Sequence, residues 1–117
     1  MTPTVGKNFF ATYIVSGERS IRALDKIAAL EYLNEEIAKA IGSKIVKTIS
    51  HKFTPIGVTS IAIISESHIS LHSFPEFNML TVDIFCCNCE VDITETDVCI
   101  RRILKVEAGK YELVDRN

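Results

Sequence analysis

The segment Ser65-Glu66-Ser67-His68-Ile69-Ser70-Leu71-His72-Ser73-Phe74-Pro75-Glu76 packs four serines, two histidines and two glutamates into twelve residues. Hydroxyls supply nucleophiles, and an imidazole with an ordinary pKa of about 6.5 can take or give a proton near neutrality. On an extended strand His68, Ser70, His72 and Phe74 point to one face, and Ile69 and Leu71 to the other. A face built only for solubility would carry lysine and glutamate rather than paired imidazoles beside hydroxyls. The bland alternative is a solvated or internally hydrogen-bonded strand face. A Ser-His-Asp hydrolase is not supported, because no G-x-S-x-G elbow surrounds any serine and the chain is short for such folds.

A second reactive group lies nearby. Cys86, Cys87, Cys89 and Cys99 all fall in the C-terminal third. A secreted disulfide scaffold would spread its cysteines over the whole fold, so reduced thiols are expected. Cys86 and Cys89 form a single C-x-x-C pair, whereas a closed zinc site shows two well-spaced pairs; no metal is expected. Buried free cysteine is the ordinary alternative for these positions.

These residues must be carried by a small fold. A chain of 117 residues reads as a single domain, large enough to build a core without metal or disulfides. Thirteen basic against fifteen acidic residues, with no basic run, argue against nucleic acid as a partner. The longest apolar run, Ile61-Ala62-Ile63-Ile64, is far short of the ~20 residues that span a membrane. Met1 to Lys7 lacks the order of a signal peptide, so a cytoplasmic location is expected.

Phe9–Val15 reads as a first strand, rich in β-forming residues. Ile21, Leu24, Ile27, Ala28, Leu33, Ile37 and Ile41 recur at threes and fours, predicting one amphipathic helix capped by Ser20 and stopped by Gly42. Strands follow at Ile45–Phe53 and Val58–Ser65, the latter apolar enough to suggest burial on both faces. Ile69–Phe74, Met79–Phe85 and Tyr111–Val114 are further strands, with a short helix over Thr94–Lys105. Paired strands between helices predict an α+β two-layer sandwich, an antiparallel β-sheet with helices on one face.

The run Glu66 to Glu76 resembles the processing site of the prokaryotic S-adenosylmethionine decarboxylase proenzymes. The resemblance extends upstream through His51-Lys52-Phe53-Thr54-Pro55-Ile56-Gly57-Val58. Downstream it reaches Val82-Asp83-Ile84-Phe85-Cys86-Cys87. It implies that the chain cuts itself between Glu66 and Ser67 into residues 1–66 and 67–117. Ser67 then becomes a pyruvoyl group, the covalent cofactor that captures the substrate amine as a Schiff base. By the same resemblance, His72 is the base for processing, Thr59 supports it, and Cys87 is the proton donor in decarboxylation. Phe53, Phe74 and Glu76 are implied to bind the substrate, Phe53 by stacking on adenine and Glu76 by accepting from ribose hydroxyls. The functional unit implied is a homodimer of cleaved protomers. Three positions depart from the family's usual pattern: Cys86-Cys87-Asn88 replaces Thr-Cys-Gly, Phe74 replaces a tryptophan, and Thr59 replaces a serine.

Decarboxylation of S-adenosylmethionine, a small-molecule substrate, is therefore the expected activity, serving aminopropyl donation in polyamine synthesis. Two alternatives use the same residues. One is the same pyruvoyl chemistry on arginine or ornithine, and the other is a small-ligand binding relative that never processes itself.

Overall fold

Alternation along the strands governs the architecture. In a computed structural model that describes residues 5–87 and 91–116, β1 (Lys7–Val15), β2 (Ile45–Lys52), β3 (Val58–Ile64), β4 (Ser67–Phe74), β5 (Met79–Cys86) and β6 (Val106–Asp115) form one antiparallel sheet. Its order is β2-β3-β4-β5-β1-β6. Helices α1 (Glu18–Ala23), α2 (Ile27–Ala40) and α3 (Glu95–Ile103) accompany it, α2 lying over β2 to β4 and α3 packing against α2 and β6.

Odd and even positions divide cleanly. Phe9, Tyr13, Val58, Ala62, Ile64, Ile69, Leu71, Leu80, Val82 and Ile84 are buried beneath the helices. From α2 come Leu30, Leu33, Asn34, Ile37 and Ala38, the three-and-four spacing of a helix with one apolar stripe. Two hydrogen bonds cross this layer: Asn34 Nδ2 donates to Ser60 Oγ at 2.9 Å, and Ser50 Oγ donates to Glu31 at 2.7 Å. Among the described residues no helix lies on the opposite face. Register places rows of residues straight across it, among them His51, Thr59, His72, Thr81, Thr12 and Lys110.

The α+β two-layer arrangement matches the sequence expectation, and four local expectations are corrected. The single helix expected from Ile21 to Ile41 is two, interrupted at Leu24-Asp25-Lys26. Gly17, not Ser20, precedes α1; Ser20 lies inside the helix and its Oγ accepts the Lys105 N–H at 3.0 Å. Gly42 does follow the end of α2, at φ 71°, in the left-handed region where glycine is favoured. Strand β3 is buried on one face only, because Ile63 is half exposed on the face without helices. Strand β4 begins at Ser67 rather than Ile69, since a two-residue turn pairs Ser67 with Ile64. Among the described residues no helix is long and apolar enough to cross a membrane.

Candidate functional site

The two ends of β4 carry different groups. At its start, Ser65 and Glu66 make the tight turn from β3, and Glu66 has φ 66°. A side-chain-bearing residue in the left-handed region is held there at a cost of about 1–3 kcal/mol. The bond that follows Glu66 leads directly into Ser67. Ser67 Oγ accepts a hydrogen bond from the Cys87 N–H at 2.8 Å, which ties the hydroxyl to the residue just past β5. Cys87 is a half-buried free thiol. Its backbone is backed by Gly6, where an added Cβ would lie 2.5 Å from the Cys86 carbonyl oxygen and 3.0 Å from Cys87 Cα.

Cys86 corrects the expectation of wholly reduced thiols: it is disulfide-bonded, while Cys87 and Cys99 are free. The absence of a framework spread over the chain does not report the redox state of a cysteine-dense stretch. Cys86 is buried on the helix-covered face. Burial also pushes the Cys99 thiol above its ordinary pKa. Cys89 lies outside the described residues.

Towards the far end of β4, His72 stands opposite Thr59 on β3, and its Nδ1 shares a hydrogen bond with Thr59 Oγ1. Aromatic rings flank the imidazole, Phe74 at 4.5 Å and Phe53 at 5.8 Å between centroids, both edge-on. His51 packs edge-on against Phe53 at 4.7 Å. Glu76 is exposed on a single 3-10 turn, Pro75–Phe77, anchored by buried Pro75. Aromatic faces and an exposed carboxylate together suit a flat ring bearing hydroxyl groups.

The sequence-derived residues thus fall into two clusters. Glu66, Ser67 and Cys87 meet at one end, and Thr59, His72, Phe53, Phe74 and Glu76 gather at the other. Five residues of strand separate Ser67 from His72, which is about 16 Å along β4. Within β4 the two positions also have opposite parity. A strained turn beside Ser67 is present, but the strain resides at Glu66 and does not bring His72 closer. Sequence reasoning missed Gly6, whose lack of a side chain lets the chain entering β1 approach the backbone of Cys86 and Cys87, and Asp25, which bonds to the loop carrying Phe53. Neither has a local signature; both act through partners distant in sequence.

Comparison with known proteins agrees over most of the chain. Residues 14–117 match the family described as S-adenosylmethionine decarboxylase. A relative from Methanococcus aeolicus, named S-adenosylmethionine decarboxylase proenzyme, is 36% identical over 94 residues, covering 80% of this chain and 79% of its own. One of the same name from Thermosipho melanesiensis is 37% identical over 97 residues, covering 76% and 75%. Among solved structures, the adenosylmethionine decarboxylase of Aquifex aeolicus VF5 superposes with a TM-score of 0.84 at 22% identity, covering 99% of this chain and 93% of that one. A Trypanosoma brucei enzyme monomer of the same activity gives 0.63 at 10% identity, and this chain spans 46% of its length.

Proposed function

The chain belongs to the S-adenosylmethionine decarboxylase family, and from that premise we propose that it decarboxylates S-adenosylmethionine with a pyruvoyl group made from its own Ser67. The observation that carries this reading is the Glu66–Ser67 junction. A residue strained into the left-handed region precedes a serine whose hydroxyl is anchored beside a free thiol.

Self-cleavage uses groups already present. Ser67 Oγ attacks the Glu66 carbonyl carbon; the new C–O bond replaces the C–N bond, the hydroxyl proton passes to nitrogen, and the peptide becomes an ester. A base then removes the Ser67 α-proton as the Cβ–O bond breaks, releasing the Glu66 carboxylate. The dehydroalanine left behind tautomerises to an imine, which water hydrolyses to ammonia and the pyruvoyl group. Relief of the Glu66 backbone favours the cut. The pyruvoyl carbonyl supplies the electron sink into which the bonding electrons of the leaving carboxylate flow. Cys87 is the proton donor to the substrate's α-carbon, a role that suits a half-buried free thiol beside Ser67. Phe53 and Phe74 take the adenine, and Glu76 accepts from the ribose hydroxyls.

His72 is the base, and it acts on Ser67 of a second protomer. At about 16 Å along its own strand it cannot reach its own Ser67. The helix-free face, with exposed Ile49, Ile63 and Phe10, offers the apolar surface for a symmetric pair. A two-fold axis lying between two such faces and crossing β4 near Ser70 sets the Ser67 end of one copy over the His72 end of the other. Each site is then shared, and the assembly is a homodimer of cleaved protomers.

Two experiments test this reading. Mass spectrometry of aged protein is expected to give residues 1–66 and a second fragment blocked by pyruvoyl at position 67; an unbroken chain would overturn self-processing. Mixing unfolded Ser67→Ala and His72→Ala chains and refolding them together tests the sharing. The His72→Ala chain is expected to be cut in the mixture, because it then meets an intact imidazole from its neighbour. No cleavage beyond that of His72→Ala alone would place both groups in one subunit.

A further inference from the structure

The break between α1 and α2 sits where the apolar periodicity would allow the helix to continue, so the interruption has to be offset by other contacts. Beyond the local turn bonds, hydrogen bonds and an ion pair from the break run to the substrate end of the sheet. Asp25 Oδ1 accepts the Gly57 N–H at 2.8 Å and the Lys52 ammonium at 3.0 Å. Lys52 Nζ also donates to the Phe53 carbonyl at 2.8 Å, and the Phe53 N–H donates to the Gly57 carbonyl at 2.8 Å. One carboxylate oxygen therefore binds both flanks of the Phe53 turn, and every backbone polar group of Phe53 is engaged. The adjoining residue, Leu24, accepts at its carbonyl from Ser73 Oγ, which itself accepts the Val58 N–H at 3.0 Å. Ser73 is buried and lies between His72 and Phe74.

We propose that the Leu24–Asp25 junction is the clamp that fixes the two aromatic walls of the substrate site, and that Asp25 is the positioning residue setting Phe53 against the adenine. The inference rests on the substrate reading given above and adds a residue that never touches substrate. The hydrogen bond from Gly57, reinforced by Lys52, holds the Asp25 carboxyl below its ordinary pKa, which keeps it charged for both contacts. Aromatic stacking needs the ring held in one plane at one place, and an untethered loop surrenders binding to disorder before it alters the chemistry.

The test is a double-mutant cycle on self-cleaved enzyme, with S-adenosylmethionine as substrate. Asp25→Ala is expected to raise KM about tenfold with kcat within about twofold, the signature of lost binding rather than lost chemistry. Asp25→Asn keeps an acceptor for Gly57 and loses the ion pair, so its KM is expected to rise only about two- to threefold. Phe53→Ala is expected to raise KM at least as much as Asp25→Ala, and adding Asp25→Ala to it should raise KM no further. If Asp25→Ala raises KM equally in both backgrounds, or lowers kcat instead, the clamp is overturned while the substrate site stands. If Phe53→Ala itself leaves KM unchanged, the adenine reading fails, and the clamp fails with it. Asp25→Asn provides the same comparison should the alanine variant not fold.

Discussion

The two faces of the sheet are made by the same strands and do opposite work. Beneath the helices, Ile69, Leu71, Val82 and Ile84 belong to one apolar core and are fully or nearly fully buried. One residue along each strand, His72, Thr59, Thr81 and Phe85 look out onto a face without helices, where imidazole, hydroxyl and aromatic groups are half exposed. Strand β4 holds both roles within eight residues. A period of two keeps His72 apart from the core residues, whereas Ser67 shares their parity and is set apart by its place at the half-buried first position of the strand. The difference teaches that stability and chemistry should be separable here by single substitutions.

Four variants sharpen or break that separation. Ser67→Ala should abolish self-cleavage completely while leaving the melting temperature within a few degrees of the parent; a large drop would tie the site to the core. Next in size, Leu71→Ala should cost about 2–5 kcal/mol of stability by opening a cavity under α2. Urea unfolding measures it, and the folded fraction of that variant should still cleave. Cys87→Ala should process normally but lose roughly a hundredfold in carbon dioxide release, or about 2.7 kcal/mol of barrier. If Cys86 held that role instead, its alanine variant would show the loss, although its side chain lies on the covered face. Smallest is Thr59→Val, which removes the partner of His72 Nδ1; cleavage followed by gel electrophoresis should slow about tenfold, close to 1.4 kcal/mol.

Much of the fold was legible because alternation and helical spacing are local. The β1, β2, β4 and β5 segments, α3 and the α2 stripe all declare themselves by period. The helix break was hidden, since Leu24 continues the apolar stripe and Asp25 differs from a solvated acid through partners far along the chain, Lys52 and Gly57. Burial of β3 was over-read for a related reason: Ile61 and Ile63 look like core residues, and only the placement of helices on one side leaves them outside. The residue types of the site were readable from the Ser65–Glu76 run. Their division into two clusters was not, because spacing along β4 becomes a distance only once that strand is known to be regular from Ser67 onward.

Strand order has one more consequence. A cut after Glu66 assigns β1, β2 and β3 to one piece and β4, β5 and β6 to the other, yet β1 lies between β5 and β6. The pieces are interleaved like the fingers of two hands. They can part only by undoing three separate ladders, β3 with β4 and β1 with both its neighbours. A nicked molecule would therefore keep its shape without a covalent link across the nick, and the new chain end would stay where it was made.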